Sequence, residues 1–112
     1  MLKQIPQHHP WSSGSYVDVA TLNITSAQIE ATLCCELLLG VEAGLGEWSA
    51  TGVQTPKGVI IELVQYAEAP VKGVFTVRID ADADHKAALD ELLSGLKLSR
   101  SHVAWLSTSA GG

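Results

Sequence analysis

The chain has 112 residues and a formal net charge of −5, from 12 acidic and 7 basic side chains. This length suits a single domain with its own core, and 46% hydrophobic with 17% charged residues is a globular composition. The basic residues are scattered along the chain, which argues against partners that need a basic stripe, namely nucleic acids and anionic membranes.

The cysteine pattern and the N-terminal residues concern the cellular compartment. The only cysteines are Cys34 and Cys35, and adjacent cysteines rarely form a disulfide with each other. A chain without a disulfide framework is typical of a reducing compartment. The first residues show no apolar run like that of a signal peptide, and the longest apolar runs are too short to span a bilayer. The expected localisation is therefore cytoplasmic.

The first 15 residues predict a flexible N-terminal arm, because they contain two prolines, a glycine and three serines. The pair His8–His9 within this arm offers two imidazoles, but adjacent histidines on a mobile segment make a poorly preorganised metal site. We instead expect the arm to dock through Trp11 or to be disordered. Residues 16–22, YVDVATL, are rich in β-forming residues and predict the first strand.

A helix is predicted from Thr25 to Gly40. Thr25 as N-cap and Gln28 three residues later have the spacing of a capping box. Apolar residues recur at every fourth position from Ile29 to Leu37, which is typical of an amphipathic helix. Gly40 is placed to end the helix in a left-handed turn.

Strands dominate the next part of the chain. The turn TPKG at residues 55–58 has proline second and glycine fourth, which suits a tight turn. It predicts a hairpin of residues 46–54 and 58–66. Residues 74–79 predict a further strand.

The last elements are a helix and a strand. Leucines spaced i, i+3, i+4 and i+7 from Leu89 to Leu96 predict the second helix. Residues 101–107 predict the final strand, and residues 108–112 a flexible tail.

Three aspartates precede the second helix. Asp80, Asp82 and Asp84 match positions 1, 3 and 5 of an EF-hand calcium loop, and Glu91 matches position 12. The loop requires glycine at position 6, however, where this chain has His85. We therefore expect these acids to cap the helix, with Asp82 as the N-cap, and we predict no metal site.

The element order β-α-β-β-β-α-β predicts a single α+β domain over residues 16–107. Two helices cannot cover both faces of a five-stranded sheet, so the expected architecture is a two-layer sandwich with a mainly antiparallel sheet and both helices on one face. A ferredoxin-like fold with one extra strand is the nearest common pattern. Because such folds host many unrelated functions, the pattern itself predicts none.

Strand alternation separates the side chains onto two faces of the sheet. The face expected to pack against the helices comprises Val17, Val19, Trp48, Ala50, Val59, Ile61, Leu63, Phe75, Val77, Ile79, Val103 and Trp105. The opposite face is more than half apolar, and its candidate interface residues are Tyr16, Leu22, Ile60, Val64, Tyr66 and Leu106. Its candidate polar site consists of Asp18, Glu62, Arg78 and His102.

This mixed face admits more than one function. Large exposed apolar patches usually mark protein contacts, so we expect a homodimer or a protein partner, which the negative charge of the chain would allow to be basic. Alternatively, the polar residues bind a small molecule, with His102 as a proton carrier in a modest enzyme. A surface ion-pair cluster without function is the third interpretation. The preferred expectation is a non-enzymatic protein-binding or self-associating module that needs no cofactor.

Overall fold

The computed structural model describes residues 2–5, 16–34, 36–42, 46–66 and 74–111. Within them the chain forms an α+β domain around one antiparallel sheet. The predicted histidine pair His8–His9 and Trp11 lie outside the described residues.

Seven strands and three helices are described. They are β1 (Lys3–Ile5), β2 (Tyr16–Asn23), α1 (Ser26–Leu33), β3 (Leu38–Glu42), β4 (Gly46–Gln54), β5 (Ile60–Tyr66), β6 (Val74–Asp80), α2 (His85–Gly95), β7 (Val103–Leu106) and α3 (Thr108–Gly111). The strand order is β1-β4-β5-β6-β2-β7, and β3 also pairs with β4. Both β1 and β3 lie along the edge of β4 that β5 does not occupy, and these two strands are the ones that the sequence did not predict.

The first helix begins as predicted but ends early. Thr25 accepts the backbone N–H of Gln28, and the Gln28 side chain accepts the N–H of Thr25, so the capping box is confirmed. The helix stops at Leu33, because Cys34 takes the left-handed conformation at φ 54. The prediction that it runs to Gly40 was wrong, since the leucine-rich segment after it pairs with β4 instead.

The central hairpin forms as predicted and sets the register of the sheet. Gly58, at φ 88, donates its N–H to the carbonyl of Thr55, and Thr55 donates its own N–H to Val59. The resulting β4–β5 ladder runs from the pair Gln54↔Ile60 to the pair Trp48↔Tyr66.

The aspartates before α2 act within the turn and the cap. Asp84, not Asp82, is the N-cap, because its carboxylate accepts the N–H of Ala87. The carboxylate of Asp80 accepts the N–H of Asp82, which shapes the preceding turn. The predicted capping role is therefore confirmed for the segment, but the assignment to Asp82 was wrong by two residues.

The three helices share one core with one face of the sheet. Ile29 of α1, Leu89 and Leu92 of α2, and Ala110 of α3 are fully buried there. Six of the predicted core residues are fully buried in it as well: Val19, Ile61, Leu63, Phe75, Val77 and Ile79. Ala110 lies in the segment predicted as a flexible tail, of which residues 108–111 instead form α3.

The faces of β4 are the reverse of the prediction. Residues opposite each other in neighbouring strands share a face, and Val53 lies opposite Ile61 in the core. Trp48 and Ala50 therefore point away from the helices, so their assignment to the core was wrong.

Irregular pairing of β2 and β7 places some of their residues on the face opposite to the predicted one. The register shifts between Asp18 and Ala20, which turns Leu22 into the core, where it is fully buried. Leu106, opposite Ala20, also packs against the core, whereas Trp105 lies on the other face and is 48% exposed. The assignments of Leu22 and Leu106 to the interface, and of Trp105 to the core, were wrong.

Candidate functional site

The sheet face opposite the helices, called the open face below, carries a row of three charged side chains. Asp18 of β2, Arg78 of β6 and Glu62 of β5 are direct neighbours across three adjacent strands. The sheet register alone therefore brings together three of the four polar residues that the sequence singled out.

Arg78 bridges the two carboxylates. Its Nε lies 2.9 Å from Oδ1 of Asp18, and its Nη1 lies 3.1 Å from Oε1 of Glu62. The two partners differ in exposure, because the Asp18 side chain is 54% exposed and that of Glu62 only 4%. The inner ion pair therefore lies in a medium of lower dielectric constant, where both attraction and desolvation are larger.

The environment of Arg78 keeps it charged. Desolvation by burial lowers its pKa, but hydrogen bonds to Asp18 and Tyr66 outweigh that effect and hold the pKa above its ordinary value. The guanidinium carbon also lies 5.9 Å from the centre of the Tyr66 ring, within the range of a cation–π contact. Because this guanidinium already serves two carboxylates, it is poorly placed to bind an anionic substrate.

Tyr16 lies next to this row on β2, two residues before Asp18 and opposite Asp80 of β6. Burial raises the pKa of its phenol, and the carboxylates of Asp80 and Glu62 raise it further. Three carboxylates, those of Asp18, Glu62 and Asp80, thus lie on this part of the open face with one guanidinium, that of Arg78, so it is acidic.

A small apolar cluster lies beside the charged row. It consists of Ala50 and Val64, which are 2% and 3% exposed, with Leu38, Trp48 and Tyr66 packed against them. No described helix lies on this face, so the larger side chains of the cluster shield the smaller ones from water. The open face consequently exposes less apolar surface than its composition suggests.

His102 does not join the charged row. It lies in a 3₁₀ turn, Arg100–His102, that precedes β7, where a strand was predicted. Its Nδ1 accepts the backbone N–H of Ser99 at 3.3 Å, so the His102 side chain stabilises this turn.

The open face retains four of the six candidate interface residues. Tyr16, Ile60, Val64 and Tyr66 belong to it, although Val64 is almost fully covered. The most exposed large apolar residues of the described chain are Leu39 and Val41 of β3, each 78% exposed. Sequence reasoning missed this pair because it placed both beside the end of the first helix. The only available signals were Gly40, which interrupts a helical pattern, and Val41, the one residue of LLGVE that strands favour.

A groove of about 380 Å³ lies beside β3. It is lined by Leu39, Gly40, Val41, Glu47, Trp48, Ser49 and Gln65. The indole of Trp48 lies directly over Gly40, since a Cβ on that glycine would come within 2.3 Å of the ring. None of the charged row lines this groove.

Two further searches cover the part of the chain that the structure describes. No three His, Cys, Asp or Glu side chains are grouped there to hold a metal ion. None of the described helices has the length and apolar character needed to cross a membrane.

Comparison of the chain with protein-family models, with curated proteins and with solved structures gives no match.

Proposed function

We propose that this chain is a non-enzymatic protein-binding module whose open face docks a partner protein. The main support is the arrangement around Arg78 on the face that no described helix covers. Two carboxylates and an aromatic ring hold its guanidinium in position there. Tyrosine, tryptophan and arginine dominate the energetics of protein interfaces. Tyr16, Tyr66 and Trp105 are all at least partly accessible on this face.

Charge favours a different protein over a second copy of the chain. Pairing two open faces would bring Asp18, Glu62 and Asp80 of one chain near the same carboxylates of the other. A basic partner meets the opposite situation, because complementary charges accelerate encounter and fix orientation. The net charge of −5 acts in the same direction at longer range.

A small-molecule site on the same face has less support. Arg78 is engaged by Asp18 and Glu62, and His102 lies in a turn outside the row. The groove beside β3 is lined by other residues.

Site-specific photocrosslinking in the native cells tests the proposal. The probe residue p-benzoylphenylalanine replaces Thr76, which lies between Thr21 and Val64 on the open face. The matched control carries the same probe at Ser94, an exposed position of α2 on the helical side. We expect the probe at Thr76 to capture a partner protein that the probe at Ser94 does not capture. Once purified, this partner should bind the Trp105→Ala variant about tenfold more weakly than it binds the unsubstituted chain, as for an interface anchor. Equal capture at both positions, or none at Thr76, contradicts the proposal, and a product of twice the chain mass indicates self-pairing instead.

The proposal extends to the fold and the compartment. The strand order β7-β2-β6-β5, with α1 and α2 in the connections, supports a ferredoxin-like variant in which β4 and its two partners extend the sheet. An experimentally determined structure tests this topology. The cytoplasmic location rests on the adjacent cysteines of the sequence, and fractionation of the native cells tests it.

A further inference from the structure

We propose that β3 is a second docking surface, where an extended basic segment of a partner protein adds as an extra strand. This surface is distinct from the open face, and the proposal stands independently of the one above.

Within the described residues, the edge of β3 lacks several of the features that usually prevent strand addition. The strand pairs with β4 in a regular register from Leu38↔Ala50 to Glu42↔Gly46, without a bulge. No strand of the described chain lies on its other side. Natural edge strands are commonly shielded by lysine, proline, a bulge or short length, and LLGVE contains neither lysine nor proline.

The opposite edge of the sheet shows the contrast. There the register of β7 with β2 shifts between Thr21 and Leu22, whereas β3 pairs with β4 without a shift. Irregular pairing discourages strand addition. The two edges therefore differ in the regularity of their pairing, which affects whether another chain can extend the sheet.

Side chains next to this edge offer an apolar contact. Leu39 and Val41 share one face of β3, and each is 78% exposed. An added strand would place its own alternate side chains beside them, because residues two apart on a strand point the same way. Strand addition of this kind gains affinity from main-chain hydrogen bonds and specificity from such alternate side chains.

The charges around this edge select a basic occupant. Glu47 lines the groove beside Val41, and Glu30 and Glu36 line a second groove beside Leu39. Among the described residues that line these two grooves there is no lysine or arginine. A second copy of the chain would bring the same glutamates together, whereas lysines flanking an apolar strand would neutralise them.

Synthetic peptides test the proposal on the full chain. The probe is the capped heptapeptide Thr-Lys-Val-Lys-Val-Lys-Thr, and its counterpart has glutamate in place of each lysine. Titration is followed by amide chemical shifts and by hydrogen exchange of the protein. We expect the lysine peptide to shift the amides of Leu38–Glu42 and to slow their exchange, with weaker binding at higher salt. The glutamate peptide should bind at least tenfold more weakly.

Two valine substitutions provide the matched comparison. Val41→Lys should weaken binding of the lysine peptide at least tenfold, while Val17→Lys, at another exposed strand valine, should leave it unchanged. Equal thermal unfolding temperatures for the two variants exclude a folding defect as the cause.

Each of the following results would overturn the inference: no binding of the lysine peptide at millimolar concentration, equal binding of both peptides, or shifts outside β3. A dimer that Val41→Lys disperses in light scattering would replace the basic segment with a second copy as the occupant. Trp105→Ala should leave peptide binding unchanged, so a failure at β3 is distinguishable from a failure of the open face.

Discussion

Removal of Arg78 should cost far more stability than removal of its outer partner Asp18. Breaking a buried ion pair by deleting one partner costs about 3–5 kcal/mol, because the other charge stays buried. Glu62 is such a charge, with 4% of its side chain exposed, but Arg78 is 23% exposed and water can enter its place. We therefore expect Arg78→Met to lose about 3 kcal/mol, the lower end of the range. Asp18→Asn breaks an exposed pair and should lose less than about 1 kcal/mol.

Urea denaturation followed by tryptophan fluorescence measures this difference. With a slope of about 1.5 kcal/mol per M, the midpoint should fall by about 2 M for Arg78→Met and by less than about 0.7 M for Asp18→Asn. The double variant Arg78→Met/Glu62→Gln carries no buried charge at these positions and should be more stable than Arg78→Met alone. Equal midpoints for the two single variants, or a double variant less stable than Arg78→Met, would refute the reasoning.

Three further predictions concern the turn, the strand edge and the phenol. Asp84→Ala should cost about 1 kcal/mol of unfolding free energy by loss of the N-cap, against less than about 0.5 kcal/mol for Asp82→Ala, as measured by urea denaturation. Gly40→Ala should cost about 1–3 kcal/mol, because its Cβ would overlap the indole of Trp48, and a shift in tryptophan fluorescence should accompany it. The raised pKa of Tyr16 means that the folded state holds the phenolic proton more tightly than the unfolded state. The contribution of the Tyr16 phenol to the free energy of unfolding is thus complete below pH 10.0 and declines as the pH rises above that value. In denaturation experiments at alkaline pH, Tyr16→Phe should therefore lose this part of the fall in stability.

Local sequence signals predicted the elements that depend on neighbouring residues. The capping box at Thr25 and the turn around Gly58 each close through side chains or backbone within a few positions, so their residues suffice to specify them. The leucine period of α2 worked for the same reason, since one buried stripe from Leu89 to Leu93 requires a helix.

Pairing between distant segments explains the errors in α1 and β3. The period from Ile29 to Leu37 fits a helix, but residues 38–42 gain a ladder of hydrogen bonds by pairing with β4. Strand propensity depends on such tertiary partners more than helix propensity does. The consequence for function was large, because this error concealed Leu39 and Val41, which are both exposed.

Register explains why the open face was only partly predicted. In the β4–β5 hairpin the paired residue numbers are both even or both odd, so Trp48 faces the same way as Tyr66. The prediction had placed the bulky Trp48 in the core by its hydrophobicity alone. In β2, the bulge between Asp18 and Ala20 reverses the faces beyond it, and nothing in the residues YVDVATL specifies where such a bulge falls.

The corrected positions of β3 and Trp48 change which surface is expected to bind a partner most strongly. The open face covers its small apolar residues with Trp48 and Tyr66 and pairs the charge of Arg78 with two carboxylates, so under the first proposal it would supply orientation and specificity. The edge of β3 has exposed apolar side chains and, among the described residues, no strand on its outer side, so under the second proposal it would supply affinity. The two surfaces meet at Trp48, which belongs to the apolar cluster of the open face and also lines the groove beside β3. If both proposals hold, one basic protein that extends the sheet at β3 would also reach the acidic row across Trp48, and Val41→Lys and Trp105→Ala would both weaken its binding.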